Sequence, residues 1–273
     1  MTRNLVHSLR LLVLLMTITF AAFSSAADEV EATDKDSEEI DHSFFAFKLS
    51  GGYFKYDSPL NFKEDFETNI LPGWTFYYKD DFFIENTKVG YNLYKDENTF
   101  IDFVGLHNFD GLYYHADDTA IEEFFSVNPF LPPEEPQHNA HLSYLAGPEI
   151  KRTIDSTIIS AGFYTDVSNV HHGQQANFSI QHRILEYKIK LVLEFGAVYK
   201  SDQLLEYYYG SDLVGDNINY YTQIDAAYPL LDGLFLVANY KFERLSSKIN
   251  SSSLTDKKEL NSGYIGINWV TYW

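Results

Sequence analysis

Side chains that alternate over unusually long segments are the feature that most limits how this chain can fold. Between Lys188 and Lys200 almost every second residue is apolar, and the positions between them carry lysine, glutamate and glycine. The same alternation recurs at 142–151, 176–184 and 218–228. A period of two indicates strands with one apolar and one polar face. The segments run to about 10–13 residues, longer than most strands of soluble sheets and suited to a tilted strand that crosses a membrane.

The N-terminal segment indicates export. Residues 1–27 combine Arg3 and Arg10 with an apolar run and a small-residue cleavage region, which is typical of a secretory signal peptide. A transmembrane helix is the alternative, but the apolar run is shorter than the roughly 20 residues that a span needs. Residues 28–42 hold eight acidic residues and one lysine, and we predict a disordered acidic leader there. The barrel domain is then expected at 43–273.

The C-terminal segment predicts a lipid-facing final strand. Counting back by twos from Trp273 gives Thr271, Trp269, Ile267 and Ile265. A terminal aromatic residue with apolar residues at alternate positions resembles the membrane-insertion signal of bacterial outer-membrane barrels. We therefore expect Ile265, Ile267, Trp269 and Trp273 to carry this signal toward the barrel assembly machinery. A last strand of a soluble sheet is the alternative.

Connection lengths predict the topology of a membrane barrel. Outer-membrane barrels have short periplasmic turns and long outer loops. Outer loops are expected at 114–139, 166–173, 201–216 and 246–259, with inner turns at 95–98, 152–155, 185–187 and 231–233. The pattern is irregular at 64–94, where Pro72 lies inside an apparent strand. A split near Asn86-Thr87 gives twelve strands, and merging two early segments gives ten. We predict an all-β, antiparallel, up-and-down transmembrane barrel of twelve strands, with ten as the alternative.

Aromatic and charged residues fit the two faces of such a barrel. The chain has 22 Phe, 21 Tyr and 3 Trp, and interfacial girdles of membrane barrels use such side chains. Tyrosines expected in the girdles are Tyr77, Tyr78, Tyr94, Tyr113, Tyr114, Tyr199, Tyr207, Tyr208, Tyr209, Tyr220, Tyr221, Tyr228 and Tyr240. Charged residues expected inside the lumen are Lys151, Arg183, Lys190, Glu194, Asp225, Lys241 and Glu243.

Composition and motifs argue against several kinds of chemistry. The formal net charge of -19 disfavours nucleic acid as a partner, and the absence of cysteine excludes thiolate sites. His171 and His172 lie near Ser168 and Asp166, but this spacing alone does not establish a catalytic triad. A metal site that joins these histidines to His138 and His141 is the other reading considered, since imidazoles are good ligands. We expect no catalytic residues, no metal and no cofactor.

Five segments together resemble the MipA/OmpV family of outer-membrane proteins. They are NILPGWTFYYKDDFFIENTKVGYNLY at 69–94, LAGPEI at 145–150, DVSNVHHG at 166–173, EYYYG at 206–210 and SSLTDKKEL at 252–260. The last of these lacks the proline that the family carries between serine and leucine. The order and spacing of the segments carry the resemblance, which covers nearly all of the chain after its leader.

The resemblance implies a Gram-negative outer-membrane protein that is not an enzyme. The type member of the family is described as a scaffold that links a murein hydrolase to a peptidoglycan synthase in the periplasm. No catalytic set transfers from the family. The function expected is therefore a scaffold for cell-envelope machinery, embedded in outer-membrane lipid. A small-solute channel, a surface adhesin and an outer-membrane hydrolase are the alternatives.

Overall fold

Twelve antiparallel strands close into one barrel over the residues that the computed structural model describes, which are 44–79, 81–114, 140–185 and 188–272. In chain order the strands are β1 (Phe44–Tyr56), β2 (Phe66–Tyr78), β3 (Phe82–Glu85), β4 (Lys88–Lys95), β5 (Thr99–His107), β6 (Tyr144–Ile154), β7 (Thr157–Asp166), β8 (Gln174–Leu185), β9 (Lys190–Lys200), β10 (Ile218–Leu231), β11 (Leu234–Arg244) and β12 (Glu259–Tyr272). Each strand pairs with its neighbours in sequence, and β1 pairs with β12 to close the wall. The expected signal peptide, the acidic leader and Trp273 lie outside the described residues.

Within the described ranges, three short helices interrupt the connections at one end of the barrel. They are a 3₁₀ helix at Phe109–Tyr114, α1 at Asp202–Tyr209 and α2 at Ser247–Ser251. In the described part of the chain, no helix has the length and apolar character that crossing a membrane would need. By the rule for outer-membrane barrels, the end with these long connections is extracellular and the end with the short turns is periplasmic.

The split at Asn86-Thr87 is confirmed, and the alternative of ten strands is wrong. β3 and β4 form a short hairpin that turns at these two residues, well below the extracellular end of β2. Asn86 adopts a φ of 55°, a left-handed conformation that asparagine tolerates. Its backbone N–H donates to the Trp74 carbonyl at 2.9 Å, and its side-chain Oδ1 accepts from the Trp74 N–H at 3.0 Å. The asparagine thereby continues the β2 ladder by one residue.

Pro72 is accommodated because β2 has no neighbouring strand beside it on one side, within the described residues. β3 pairs with β2 only from Thr75 to Tyr78, so the stretch toward the extracellular end has a free edge. The N–H and C=O groups of Trp74 both point to this edge. The direction of these backbone groups repeats every second residue of a strand, so the backbone nitrogen of Pro72 points to the same edge. A missing N–H therefore removes no ladder hydrogen bond, which is the setting in which strands tolerate proline.

Alternation places the apolar face outside and the polar face inside. On β9, the outward Phe195 is 53% exposed, whereas the inward Glu194 is 9% exposed. On β12, Ile265, Ile267 and Trp269 all lie on the exposed outer face. The outer face therefore presents a belt of large apolar side chains to lipid. An exposed belt of this kind is typical of a membrane barrel and would be unusual on a soluble one.

Several inward aromatic side chains lie directly over glycines of the barrel wall. The Tyr221 ring covers Gly196, and a Cβ added at that glycine would lie 2.2 Å from a ring carbon. The Tyr221 hydroxyl donates to Glu194 at 2.6 Å, so the ring cannot easily move away. Phe83 covers Gly90 in the same manner. Glycine is thus required at these positions by close packing.

Gly196→Ala is expected to destabilise the barrel by about 1–3 kcal/mol, the usual cost of overpacking a well-packed interior. The displaced Tyr221 ring would also weaken its hydrogen bond to Glu194. Urea unfolding of the refolded chain in lipid vesicles measures the effect. Gly51→Ala is the matched control, because its Cβ would meet nothing within 4 Å. Equal shifts for the two variants would contradict this account of the packing.

Candidate functional site

The lumen is crossed by charged side chains that pair with one another. Glu149 on β6 accepts from the Lys88 ammonium at 2.7 Å and lies 3.2 Å from the Lys151 ammonium. Its second oxygen accepts from the Tyr164 hydroxyl at 2.6 Å. Glu149 is 8% exposed, so its charge depends on these partners and little on water.

A second paired group lies on the opposite wall, near the extracellular end. The Lys241 ammonium donates to Glu243 at 2.8 Å and lies 4.6 Å from the centre of the Tyr221 ring. Glu243 also accepts from the Asn219 side chain at 2.8 Å. These contacts cross-link β10 and β11 on the inside of the wall. Charged residues of this lumen therefore form compensated groups.

Sequence alternation identified the lumen-facing charges correctly. The strand register places Lys151, Arg183, Lys190, Glu194, Asp225, Lys241 and Glu243 on the inner face. Other inward polar side chains are buried as well, including Ser50, Asp102, Gln175, Asn219, Gln223 and Asn268. The side chains of Lys88, Lys151 and Lys241 keep 24–31% of their surface exposed, so the inner face combines buried polar groups with partly accessible charges.

The extracellular connections fold into a compact structure that we call the cap, comprising residues 57–65, 108–114, 140–143, 167–173, 201–217 and 245–258. Its apolar core consists of Leu60, Tyr114, Ala140, Leu204, Leu205, Tyr208, Tyr209, Leu245 and Ile249, together with Leu260 of β12. Leu204, Leu205 and Tyr208 lie on one face of α1, following the helical spacing of three to four residues. The cap thus has its own hydrophobic core and lies over the extracellular end of the lumen.

A buried ion pair fastens the cap to the barrel wall. The Lys200 ammonium at the end of β9 lies 2.6 Å from Asp110 of the 3₁₀ helix, and Asp110 is 3% exposed. The same carboxylate oxygen accepts from the Tyr209 hydroxyl of α1 at 2.6 Å. Tyr113 of the 3₁₀ helix also contacts Tyr56 of β1, with 2.6 Å between their hydroxyls. The 3₁₀ helix is therefore bound to both sides of the lumen.

The expected girdle was wrong for some of its tyrosines. Tyr113 and Tyr114 lie in the 3₁₀ helix, and Tyr208 and Tyr209 are buried in α1. Tyr221 points into the lumen beside Glu194. By contrast Tyr78, Tyr94, Tyr199, Tyr220, Tyr228 and Tyr240 are exposed on the strands or next to them. Proximity to a strand end did not distinguish a lipid-facing tyrosine from one that turns inward over the barrel.

Asp166 organises the extracellular loop that carries the two histidines. One of its oxygens accepts from the backbone N–H groups of His171 at 2.7 Å and His172 at 2.9 Å. The other accepts from the backbone and hydroxyl of Ser168 at 2.8 and 2.6 Å. The structure therefore brings together all four residues that the sequence singled out. Their contacts hold the loop in shape, and His172 has a left-handed φ of 54°.

His171 faces Ser143, a contact that the sequence did not reveal. The Ser143 hydroxyl lies 3.0 Å from Nε2, while Nδ1 accepts from the Gly173 N–H at 2.8 Å. A neutral imidazole that accepts at Nδ1 carries its proton on Nε2, the nitrogen nearest Ser143. A general base for that hydroxyl would need the opposite tautomer. The Asp166 carboxylate is 3.9 Å from Nδ1, beyond hydrogen-bond distance, so the arrangement does not form a catalytic triad.

The metal reading finds no support in the described part of the chain. Those residues contain no group of three or more histidine, aspartate or glutamate side chains placed to hold an ion. His141 uses its backbone N–H to bind the Tyr207 hydroxyl at 3.1 Å. His138 lies outside the described residues.

The periplasmic end presents short turns that carry exposed carboxylates. They are Asp81, Asp96, Glu97, Asp155 and Asp232. Asp96 accepts from the backbone N–H groups of Asn98 and Thr99 at 2.8 and 2.7 Å. These hydrogen bonds lower the pKa of Asp96, and the bond from Asn98 has the largest effect. The carboxylate therefore stays ionised over the physiological range. Exposed Lys79, Lys95, Arg152 and Lys188 lie on or beside the same turns, so carboxylates and cations are interspersed at this end of the barrel.

Comparison with known proteins gives a family match across the barrel. A family model described as MltA-interacting protein MipA matches residues 51–271. A search of curated proteins found no match.

Solved structures with related architecture are outer-membrane barrels. An outer membrane channel from Pseudomonas putida F1 is 9% identical, with a TM-score of 0.38, over 90% of this chain and 100% of that one. OccAB2 of Acinetobacter baumannii is 12% identical, with a TM-score of 0.36, and the match spans 88% of this chain but only 66% of OccAB2. The toluene transporter TodX of Pseudomonas putida is 9% identical, with a TM-score of 0.32, over 85% and 89% of the two chains. Similarity at this level says nothing about transport by the present chain.

Proposed function

The chain belongs to the MipA family, and we propose that it is a non-enzymatic scaffold for peptidoglycan enzymes in the periplasm. It is a Gram-negative outer-membrane protein with a closed barrel of twelve strands. The family name describes an interaction with MltA, and a murein hydrolase or synthase is accordingly the partner proposed here. Outer-membrane lipid would surround the barrel.

The cap over the extracellular end is the observation that carries this proposal. Ion pairs around Glu149 and Glu243 project into the lumen, and the cap lies over its extracellular end. His171 is engaged in the loop structure and has the wrong tautomer for general-base catalysis. The extracellular end is thus covered, and the periplasmic end is the face that a partner can bind. The periplasmic end is the one that peptidoglycan enzymes can reach.

The charge of the periplasmic end indicates the chemistry of the partner surface. Exposed carboxylates occur on the turns after β2, β4, β6 and β10. Carboxylates spread over one face attract a basic surface and increase the rate of encounter, an effect that salt screens. Because Lys79, Lys95, Arg152 and Lys188 are also exposed there, the partner surface that fits this end has mixed charge, with lysine or arginine placed opposite the carboxylates.

Reversing charge at the periplasmic end is expected to reduce partner capture on the order of tenfold, since like charges oppose docking. The variant is Asp81→Lys, Glu97→Lys, Asp232→Lys, at exposed turn positions. The measurement is affinity capture from detergent extracts of the envelope, with quantitation of murein hydrolases and synthases. The matched control is Glu64→Lys, Glu206→Lys, Asp256→Lys, which makes the same charge change at the extracellular end. Equal capture by both triple variants, or no capture by the wild type, would refute the scaffold proposal.

A small-solute channel is the second candidate, favoured by one observation. The inward face is lined by polar and charged groups such as Lys151 and Glu194 instead of a continuous apolar core. Conductance of the purified chain in planar bilayers decides between the two functions. A purified chain that conducts no current would refute the channel function and would not affect the scaffold proposal.

A further inference from the structure

His171 lies at the junction of three parts of the cap. Its side chain has no exposed surface. On one side its Nε2 lies 3.0 Å from the Ser143 hydroxyl and 3.5 Å from the Asn108 side-chain nitrogen. These two residues lie at the two ends of the connection between β5 and β6. On the other side its ring lies 5.7 Å from the Tyr208 ring of α1. The Tyr208 hydroxyl in turn donates to the His141 carbonyl at 2.9 Å and lies 3.0 Å from the Ser143 hydroxyl. One imidazole thus joins the 167–173 loop to α1 and to the β5–β6 connection.

The hydrogen bonds around His171 fit only a neutral ring. Nδ1 accepts from the Gly173 N–H, and this bond fixes the backbone where the loop enters β8. A proton on Nδ1 would place two donors face to face at 2.8 Å. The Gly173 N–H would then lose its acceptor, and a buried donor without a partner is costly. Protonation therefore requires the loop to move away from the ring.

Nearby carboxylates favour protonation of His171, but they do not outweigh the preference of this site for a neutral ring. The Asp166 carboxylate at 3.9 Å favours the protonated ring, and so does the more distant Asp110. Both are already engaged: Asp166 by three backbone N–H groups and a hydroxyl, and Asp110 by Lys200 and Tyr209. His172 on the same loop disfavours a positive charge on His171, and the tyrosines of α1 are neutral at these pH values because the ordinary tyrosine pKa is about 10. Burial is the largest influence, and the pKa of His171 is lowered from its ordinary value.

We propose that the cap is a pH-dependent closure, in which protonation of His171 at mildly acidic pH releases the 167–173 loop and α1 from the extracellular mouth of the barrel. The junction at Ser143 and Tyr208 would open first, since His171 is shared by its three parts. The Asp110–Lys200 ion pair would keep the 3₁₀ helix attached to the wall, so the release of α1 also breaks the hydrogen bond from Tyr209 to Asp110. This device is independent of the scaffold function, which uses the opposite end of the barrel.

The direction of the pH effect follows from linkage. A histidine whose pKa is lower in the closed cap than in the open one binds protons more tightly when the cap is open. The closed cap therefore keeps its full stability above the ordinary histidine pKa of about 6.5, and loses stability progressively as the pH falls below it. The open population increases by at most about tenfold per pH unit until the pKa of the closed state is reached.

Hydrogen exchange of the full chain in detergent micelles at pH 7.5 and pH 5.0 tests the proposal. After correction for the chemical effect of pH, the amides of α1 are expected to exchange at least about fivefold faster at pH 5.0. His171→Gln, which remains neutral, is expected to remove this pH dependence even if it loosens the cap at both values. His172→Gln is the matched control and should retain it, because His172 is exposed and uses only its backbone N–H toward Asp166.

A titration of the wild type by histidine-selective nuclear magnetic resonance provides a second readout. The histidine resonance that is absent from the spectrum of His171→Gln is assigned to His171. This resonance should titrate below pH 6.5, over the same range in which the α1 amides lose protection from exchange. Equal pH dependence in the wild type and both variants would overturn the proposal. So would loss of the effect in His172→Gln alone, or protection in the wild type that does not change with pH.

Discussion

Glu149→Leu is expected to be among the most damaging single substitutions in the barrel, with a loss of about 3–5 kcal/mol in the free energy of unfolding. The change removes the carboxylate that both the Lys88 and Lys151 ammonium groups contact and leaves them repelling each other, with Asp102 and Glu85 as their remaining counter-charges. The Tyr164 hydroxyl also loses its acceptor. Urea unfolding in lipid vesicles and heat-dependent gel mobility of the folded form both measure the loss.

A compensated variant separates the charge effect from loss of packing. Replacing one ion pair as a whole, in Lys88→Met, Glu149→Leu, leaves Lys151 beside Asp102 and Glu85 and should recover much of the lost stability. Tyr164→Phe alone should cost about 1 kcal/mol, the value of a single net hydrogen bond. If the double variant is as unstable as Glu149→Leu, the ion pair is not the cause.

Sequence patterning was sufficient for the wall of the barrel because the wall obeys a local rule. Alternation of two residues determines the face of every side chain, so the inward positions of Lys151, Glu194 and Lys241 could be predicted before any pairing was known. The Asn86-Thr87 split was predicted as one of two ways to resolve the irregular pattern at 64–94. The structure adds the reason, which is that Asn86 completes the ladder of β2 with its side chain.

The cap was not predictable because its contacts are between residues far apart in the chain. Ser143 meets His171 across 28 positions, and Asp110 meets Lys200 across 90. No local period connects such pairs. The sequence did contain a signal for α1, since apolar residues at 204, 205 and 208 have helical spacing and Gly210 ends the segment at a φ of 88°. That signal was obscured by the run of three tyrosines, which was assigned to a girdle.

The two ends of the barrel consequently differ in how they can take part in function. The extracellular end is bound to itself by an apolar core, an ion pair and a buried histidine. The periplasmic end consists of short turns with exposed carboxylates and few internal contacts. Exposed turns suit a binding surface because their side chains stay accessible to a partner. A packed junction with one titratable group suits a closure that responds to pH, because protonation of that group changes the stability of the whole junction.

The lipid-facing position of β12 leads to the second large effect. Ile265→Arg is expected to destabilise the barrel by about 2–4 kcal/mol, the cost of an arginine on the lipid face near the bilayer midplane. Ile265 lies in the middle of β12, is 59% exposed, and pairs with Tyr53 of β1 and Ala238 of β11. Its side chain therefore points to lipid at the seam where the barrel closes. Folding yield and urea unfolding in vesicles measure the loss.

A second position on β12, closer to the membrane surface, supplies the control for Ile265→Arg. Thr271 also faces outward, near the periplasmic end of β12, where it pairs with Phe47. Thr271→Arg should cost only about 0–1 kcal/mol, since an arginine at the interface reaches water. Ile265→Leu should be close to neutral because it keeps an apolar side chain in lipid. A soluble barrel would tolerate Ile265→Arg as well as Thr271→Arg, so equal effects at the two depths would argue against a lipid-facing outer surface and against an insertion signal in Ile265, Ile267 and Trp269.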